Sequence, residues 1–320
     1  MLIKELSQRF NYHVLSLRFL PLVVMISGFL IWLRIYRNEF SDKWISLLAI
    51  FSFVSSYYLS YYASEFKHYS MDVFTIAIFY LYLIYQKEYI YKAPTRKFII
   101  ATVLLPLAML FSYSSFFVFW IAIYNFLFMI RRNPKLLSPL IIYVSLAFLI
   151  IFSIYHFDIK YTLSAKVPFS FWNDYFLCTK SPYCFLKSFG EGLRKLVVWW
   201  FGNSILFRRA ASPLIPFFAV SLFVYGLKSL RENKLKLWGL DSLGLVIFSE
   251  LFILGVLRKY PFTGARTSLF FAPFVFYFIV KGIHSFRKYR PLFIGFVIFY
   301  TSFLFLCSLN SFLTYWKLYD

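Results

Sequence analysis

The chain has 320 residues, of which 61% are apolar, 24% aromatic and only 15% charged, with 34 Lys and Arg against 13 Asp and Glu. No single soluble core of this length needs so much apolar material, so composition points to an integral membrane protein and excludes an ordinary soluble enzyme. A nucleic-acid reader is also excluded, because no stretch is long and polar enough to carry a basic binding domain; the basic excess fits loops held against anionic lipid.

About 20 residues cross a hydrocarbon core, and shorter runs manage with tilt or local thinning. Ten apolar runs qualify in chain order: Leu15–Tyr36, Trp44–Tyr62, Ser70–Gln86, Phe98–Phe111, Ser115–Ile130, Ser138–His156, Pro213–Leu230, Leu237–Leu257, Ser268–Ile283 and Pro291–Asn310. The expectation is an all-α, polytopic protein of about 10 transmembrane helices, a single transmembrane domain over residues 1–320. The fourth and fifth runs are the weakest division, since only "SYSS" (Ser112–Ser115) separates them.

Alternate connections are basic. Five of them, around Arg34 to Lys43, Lys87 to Lys97, Arg131 to Lys135, Lys228 to Lys236 and Lys281 to Arg290, hold 18 of the 34 cations. By the positive-inside rule these face the cytoplasm, which puts the turns at 63–69, 112–114 and 258–267 and the long loop 157–211 outside. The same parity leaves Met1 outside despite Lys4, Arg9 and Arg18, and so leads to the expectation of a missing upstream helix, the alternative being that one of the ten runs is not a crossing.

The outer segments carry the candidate chemistry. In "FLCTKSPYCFL", Cys178 and Cys184 flank a turn with Pro182 in a compartment that permits a disulfide; two unpaired thiols are the alternative. In "EGLRKLVVWWFGNSILF" (Glu191–Phe207), cations precede Trp199 and Trp200, which suits a helical segment lying in the interface, or a wall of a lipid groove. "YYASEFKHYSMD" (Tyr61–Asp72) places Glu65, Tyr69 and Asp72 on one helical face, while Lys67 and His68 project elsewhere and could reach an anionic headgroup. An ordinary solvated turn remains the alternative. "RKYPFTGARTS" adds three cations, Arg258, Lys259 and Arg266, able to grip phosphate or simply to snorkel, with Tyr260 between them. Glu250 lies inside the eighth run, where a carboxylate is a functional candidate or half of a structural pair, and Asp241 reads as interfacial. No soluble-enzyme motif is present, and the four histidines are too scattered for a metal cluster.

"LSLRFLP" (Leu15–Pro21), "YYASEFKHYSMD" and "KYPFTGARTSLFFAPF" (Lys259–Phe274) resemble, in that order, motifs of membrane glycosyltransferases of the C-type fold. The branch is similar to the dolichyl-phosphate-mannose-protein mannosyltransferase-like group that includes rhizobial lipopolysaccharide core transferases. The resemblance implies sugar transfer at the outer face of a bacterial inner membrane, from a polyprenyl-phosphate-linked donor to a lipid, glycan or protein acceptor, among membrane lipids. Position by position, Glu65, Lys67, Tyr69 and Asp72 match the first outer motif, and Tyr260, Pro261, Phe262 and Arg266 the second. It implies catalytic roles for Glu65 and Asp72, and substrate contacts for Lys67, Tyr69, Tyr260 and Arg266, with Lys67 and Arg266 on the phosphate; His68, Arg258 and Lys259 join the substrate-binding candidates by their charge and place in the two turns. The family places its main catalytic acid in a first outer loop that has no counterpart here, so an inactive, N-terminally truncated form is part of the expectation. No cofactor is called for, and a divalent metal stays open. A lipid-linked glycan flippase or polymerase, or a non-catalytic membrane scaffold, are the competing classes.

Overall fold

The computed structural model describes residues 14–64, 69–160, 174–202, 205–232, 237–263 and 267–317. Among these there is no strand. The helices, in chain order, are α1 (Val14–Glu39), α2 (Lys43–Val54), α3 (Tyr57–Ser64), α4 (Tyr69–Lys87), α5 (Arg96–Leu104), α6 (Phe119–Ile130), α7 (Leu137–Ile154), α8 (Pro182–Val198), α9 (Ile205–Ala210), α10 (Leu214–Glu232), α11 (Leu240–Val256), α12 (Ala272–Ser285) and α13 (Arg290–Lys317).

Five described helical segments are long and apolar enough to cross a membrane: Phe19–Glu39, Pro134–Phe157, Leu214–Glu232, Leu269–Lys288 and Arg290–Thr314. A sixth forms if α2 and α3 act as one span, bent by 57°. The bend falls at Ser55 and Ser56, where the helix closes with a 3.3 Å bond from Ser56 N–H to Phe53 O. The Ser56 hydroxyl then leaves the helix and donates to Trp200 O at 3.1 Å. Of the other apolar runs, α4 is an unbroken helix of 19 residues that is not among these candidates, and the rest are shorter or broken. In the fourth, α5 gives way at Leu105 to a tighter 3-10 turn because Pro106 removes a donor and clashes with the preceding turn. The eighth, α11, has only 17 residues.

Capping explains several boundaries. Asp42 accepts from Trp44 N–H at the start of α2, Thr95 from Phe98 N–H at α5, and Ser181 from Cys184 N–H at α8, with Pro182 in the first turn.

The centre of the bundle is α12. In the segment containing it 78% of the apolar window is buried, against 22% for α13, whose Ile298, Phe305 and Phe312 lie exposed. Helices α10 and α2 pack on α12, α11 packs on α10, and α1 packs along α4. Small residues allow the close approach: a methyl on Gly282 would stand 2.8 Å from Phe217 O, and one on Gly244 2.5 Å from the Phe278 ring. Two tyrosine hydroxyls cross-link this core, Tyr36 to Pro273 O at 2.8 Å and Tyr300 to Ser52 Oγ at 2.9 Å.

Loop 157–211 contains α8 and α9, and Cys178 and Cys184 are joined by a disulfide with α-carbons 5.7 Å apart. The tryptophans depart from the expectation of an interfacial pair. Trp200 is fully buried, its indole donating to Leu196 O at 2.6 Å, and Trp199 sits between Tyr58, Tyr175 and Arg208. Segment 199–201 packs on α3, so these indoles find protein partners before lipid.

A polar network lies at the other ends of the helices. Lys281 pairs with Asp241 at 2.5 Å, Tyr277 donates to Asp241 at 3.0 Å, and Tyr80 donates to Glu39 at 2.5 Å. Asp241 is therefore not the simple interfacial residue expected of it; α12 supplies its partner, 40 positions away.

Candidate functional site

The turn after α11 is built by an unusual cap. Lys259 and Tyr260 N–H both return to Leu254 O, at 2.9 and 3.3 Å, which requires the residue before them to turn left-handed. Glycine normally fills that position, but here it is Arg258, at φ 54°. Its guanidinium lies 5.6 Å from the centre of the Phe176 ring. The next anchor is Phe262, fully buried, whose N–H donates to Tyr175 O at 2.9 Å. Its ring is seated between two glycines: a methyl on Gly192 would come within 2.8 Å of the ring, and one on Gly255 within 2.7 Å of Phe262 Cβ. Tyr260 OH closes the far side by donating to Thr267 O at 2.6 Å.

This cap lays Lys259 and Tyr260 against the face of α11 that carries Glu250, Ile253 and Leu254, spaced i, i+3 and i+4. With Phe116, Phe117 and Trp120 from the segment before and into α6 they enclose an apolar groove of about 500 Å³. One carboxylate and one ammonium stand in an otherwise aromatic and aliphatic wall. Glu250 and Trp120 line the same groove, and Glu250 Oε1 is buried without a hydrogen-bond partner. Among the described residues Glu250 makes no ion pair, although Lys259 lines the same groove.

The expected outer turns touch one another at this place. Phe117 meets the Tyr260 ring edge-on at 5.1 Å and stacks on Phe270 at 4.8 Å. Just upstream, Ser112 and Ser114 hydroxyls donate to Asp72 Oδ1 at 2.6 and 3.0 Å. Asp72 is buried at the start of α4 and does not line the groove. Its helical-face partner Glu65, with Lys67 and His68, lies outside the described residues, as does Arg266; for Tyr69 the backbone is described but not the side chain. Thus the structure unites Glu250 with Lys259 and Tyr260, ties Asp72 to the serine turn, and leaves Arg258 against Phe176.

Trp120, Phe116 and the serine pair were not singled out from sequence. "SYSS" reads only as a break between two runs, and nothing local says that its hydroxyls serve a carboxylate 40 residues away. Among the described residues no three His, Cys, Asp or Glu side chains converge as a metal set would. Comparison with protein-family models, with curated proteins and with solved structures finds no match.

Proposed function

We propose that the chain is an integral membrane glycosyltransferase with about ten crossings and a C-type fold. It takes a sugar from a polyprenyl-phosphate donor at the outer face of a bacterial inner membrane and passes it to a lipid, glycan or protein acceptor. The observation that carries this reading is the amphiphilic groove, in which an apolar wall suited to a polyprenyl chain ends at Glu250, Lys259 and Tyr260. The motif order in the sequence supports it independently.

In this reading the acceptor hydroxyl attacks the anomeric carbon, and its proton passes to the Glu250 carboxylate. The bond from that carbon to the phosphate oxygen breaks, and the polyprenyl phosphate leaves with its charge facing Lys259. Arg266 and Lys67 keep the phosphate contacts that the resemblance implies, and Glu65 the sugar or acceptor. Asp72 is a positioning residue, since it acts through the serine turn next to Phe116 and Phe117.

The test uses the full chain in lipid nanodiscs with polyprenyl phosphates carrying radiolabelled mannose, glucose or galactose, and follows release of polyprenyl phosphate. Glu250→Gln should fold normally and lose at least 100-fold in transfer; Lys259→Met should lose about 10-fold, the size of a modest electrostatic contribution. Full transfer by a folded Glu250→Gln protein overturns the assignment. Donor binding with no transfer by the unaltered chain would favour a flippase or scaffold.

A further inference from the structure

A second cavity, of about 440 Å³, lies across the same turn. It is lined by Asp174 and Glu191, by Lys187 and Lys195, and by Tyr175 and Thr263. The two cavities share their dividing wall: Lys259 and Tyr260 face the groove and Thr263 the second cavity, while Tyr175 O holds the turn through Phe262 N–H.

Its chemistry is the opposite of the groove's. Two carboxylates and two ammoniums surround a space within the range of small-molecule sites, about 300–1,000 Å³. Part of this charge is already committed: Glu191 is bidentate with Arg194 at 2.6 and 2.9 Å, and the Lys195 ammonium stands 5.5 Å from the centre of the Tyr175 ring. Asp174 and Lys187 make no ion pair among the described residues. An inorganic anion would meet two carboxylates here and a metal cation two lysines, while an acyl chain would leave all four groups desolvated. A neutral, hydroxyl-rich ring avoids each penalty, because every hydroxyl can donate to a carboxylate and accept from an ammonium. The rim is fixed covalently and by hydrogen bonds: Cys184 of the disulfide lines the cavity, Cys178 N–H donates to Ser188 Oγ at 2.9 Å, and Leu177 N–H reaches Gly255 O at 3.3 Å.

We propose that this cavity is a sugar-binding site that holds the acceptor glycan beside the groove. Its role as acceptor rests on the glycosyl-transfer reading; its capacity to bind sugar does not.

Binding is therefore measured without turnover, by saturation-transfer NMR on the full chain in nanodiscs. The probes are methyl α-mannoside, methyl β-glucoside and methyl β-galactoside, with inorganic phosphate as the competing chemistry. At least one glycoside should bind saturably, Asp174→Asn should weaken it about 10-fold, and Lys187→Trp should abolish it. Reduction of the disulfide should weaken it as well. Glu250→Gln, which alters only the groove, should leave glycoside binding in place. The proposal fails if none of the three glycosides binds, if Asp174→Asn and Lys187→Trp both bind as the unaltered chain does, or if phosphate binds and the glycosides do not displace it. Loss of transfer in Glu250→Gln without these effects would leave the groove reading standing and this one overturned.

Discussion

Asp72 shows how a single side chain holds a turn in place. Its carboxylate is buried and accepts from two serine hydroxyls that a local reading takes for a linker. Asp72→Ala would leave those buried hydroxyls without that acceptor, and a cost of about 1–3 kcal/mol is expected, seen as a lower unfolding midpoint in detergent. Asp72→Asn, which keeps an acceptor oxygen, should recover most of it. An alanine variant as stable as the parent would remove Asp72 from this role. Glu191 gives a pH dependence of known sign. The hydrogen bond from Arg194 holds its carboxyl below the usual carboxylate range. A depressed folded value stabilises above the unfolded value of about 4.3 and is lost as pH falls through the folded one. Stability from this pair should thus be flat from pH 5 to 8 and decline only below about pH 4. Arg194→Gln should abolish that acid-side difference in urea titrations.

At the scale of elements, glycine decides how close the central helices come. The position of Gly282 leaves no room for a methyl, since it would stand 2.6 Å from Ser221 Oγ and 2.8 Å from the Phe217 carbonyl, a backbone atom that cannot swing aside. Gly282→Ala should push α10 from α12 and cost about 1–3 kcal/mol, as overpacking does. A thermal midpoint equal to the parent's would show that this contact yields. The same geometry at Gly192 and Gly255 seats Phe262 and so aims the turn that carries Lys259. Apolar periodicity locates such helices readily, but the bend at Ser55 and Ser56 and the 3-10 turn at Pro106 shorten two runs that look continuous by composition. Their cause lies in a hydroxyl drawn to Trp200 O and in a donor missing at Pro106, and neither break was read from the apolar pattern.

For the whole molecule, charge ties the helices together. Asp241 on α11 and Lys281 on α12 form a largely buried pair, joined by Tyr277. Lys281→Met would leave Asp241 buried beside Glu39 and Tyr80, at an expected cost of about 3 kcal/mol. The double variant Lys281→Met with Asp241→Asn should be clearly more stable than the single one in thermal unfolding. Equal losses in both would mean that the pair is solvated and does not bridge the helices.

Composition and apolar periodicity by themselves determine an all-α chain with several helices able to cross a membrane, because nothing else can bury so much apolar surface at this length. They also single out Glu250 and Lys259, since charge is costly in such a setting wherever it stands. Which of these residues share a cavity was decided only by tertiary packing. The left-handed turn at Arg258 and the seating of Phe262 between two glycines bring Lys259 onto the Glu250 face, and put Thr263 on a second, charged cavity. Those contacts join α8, α11 and the segment before α6, and their spacing along the chain carries no trace of the approach.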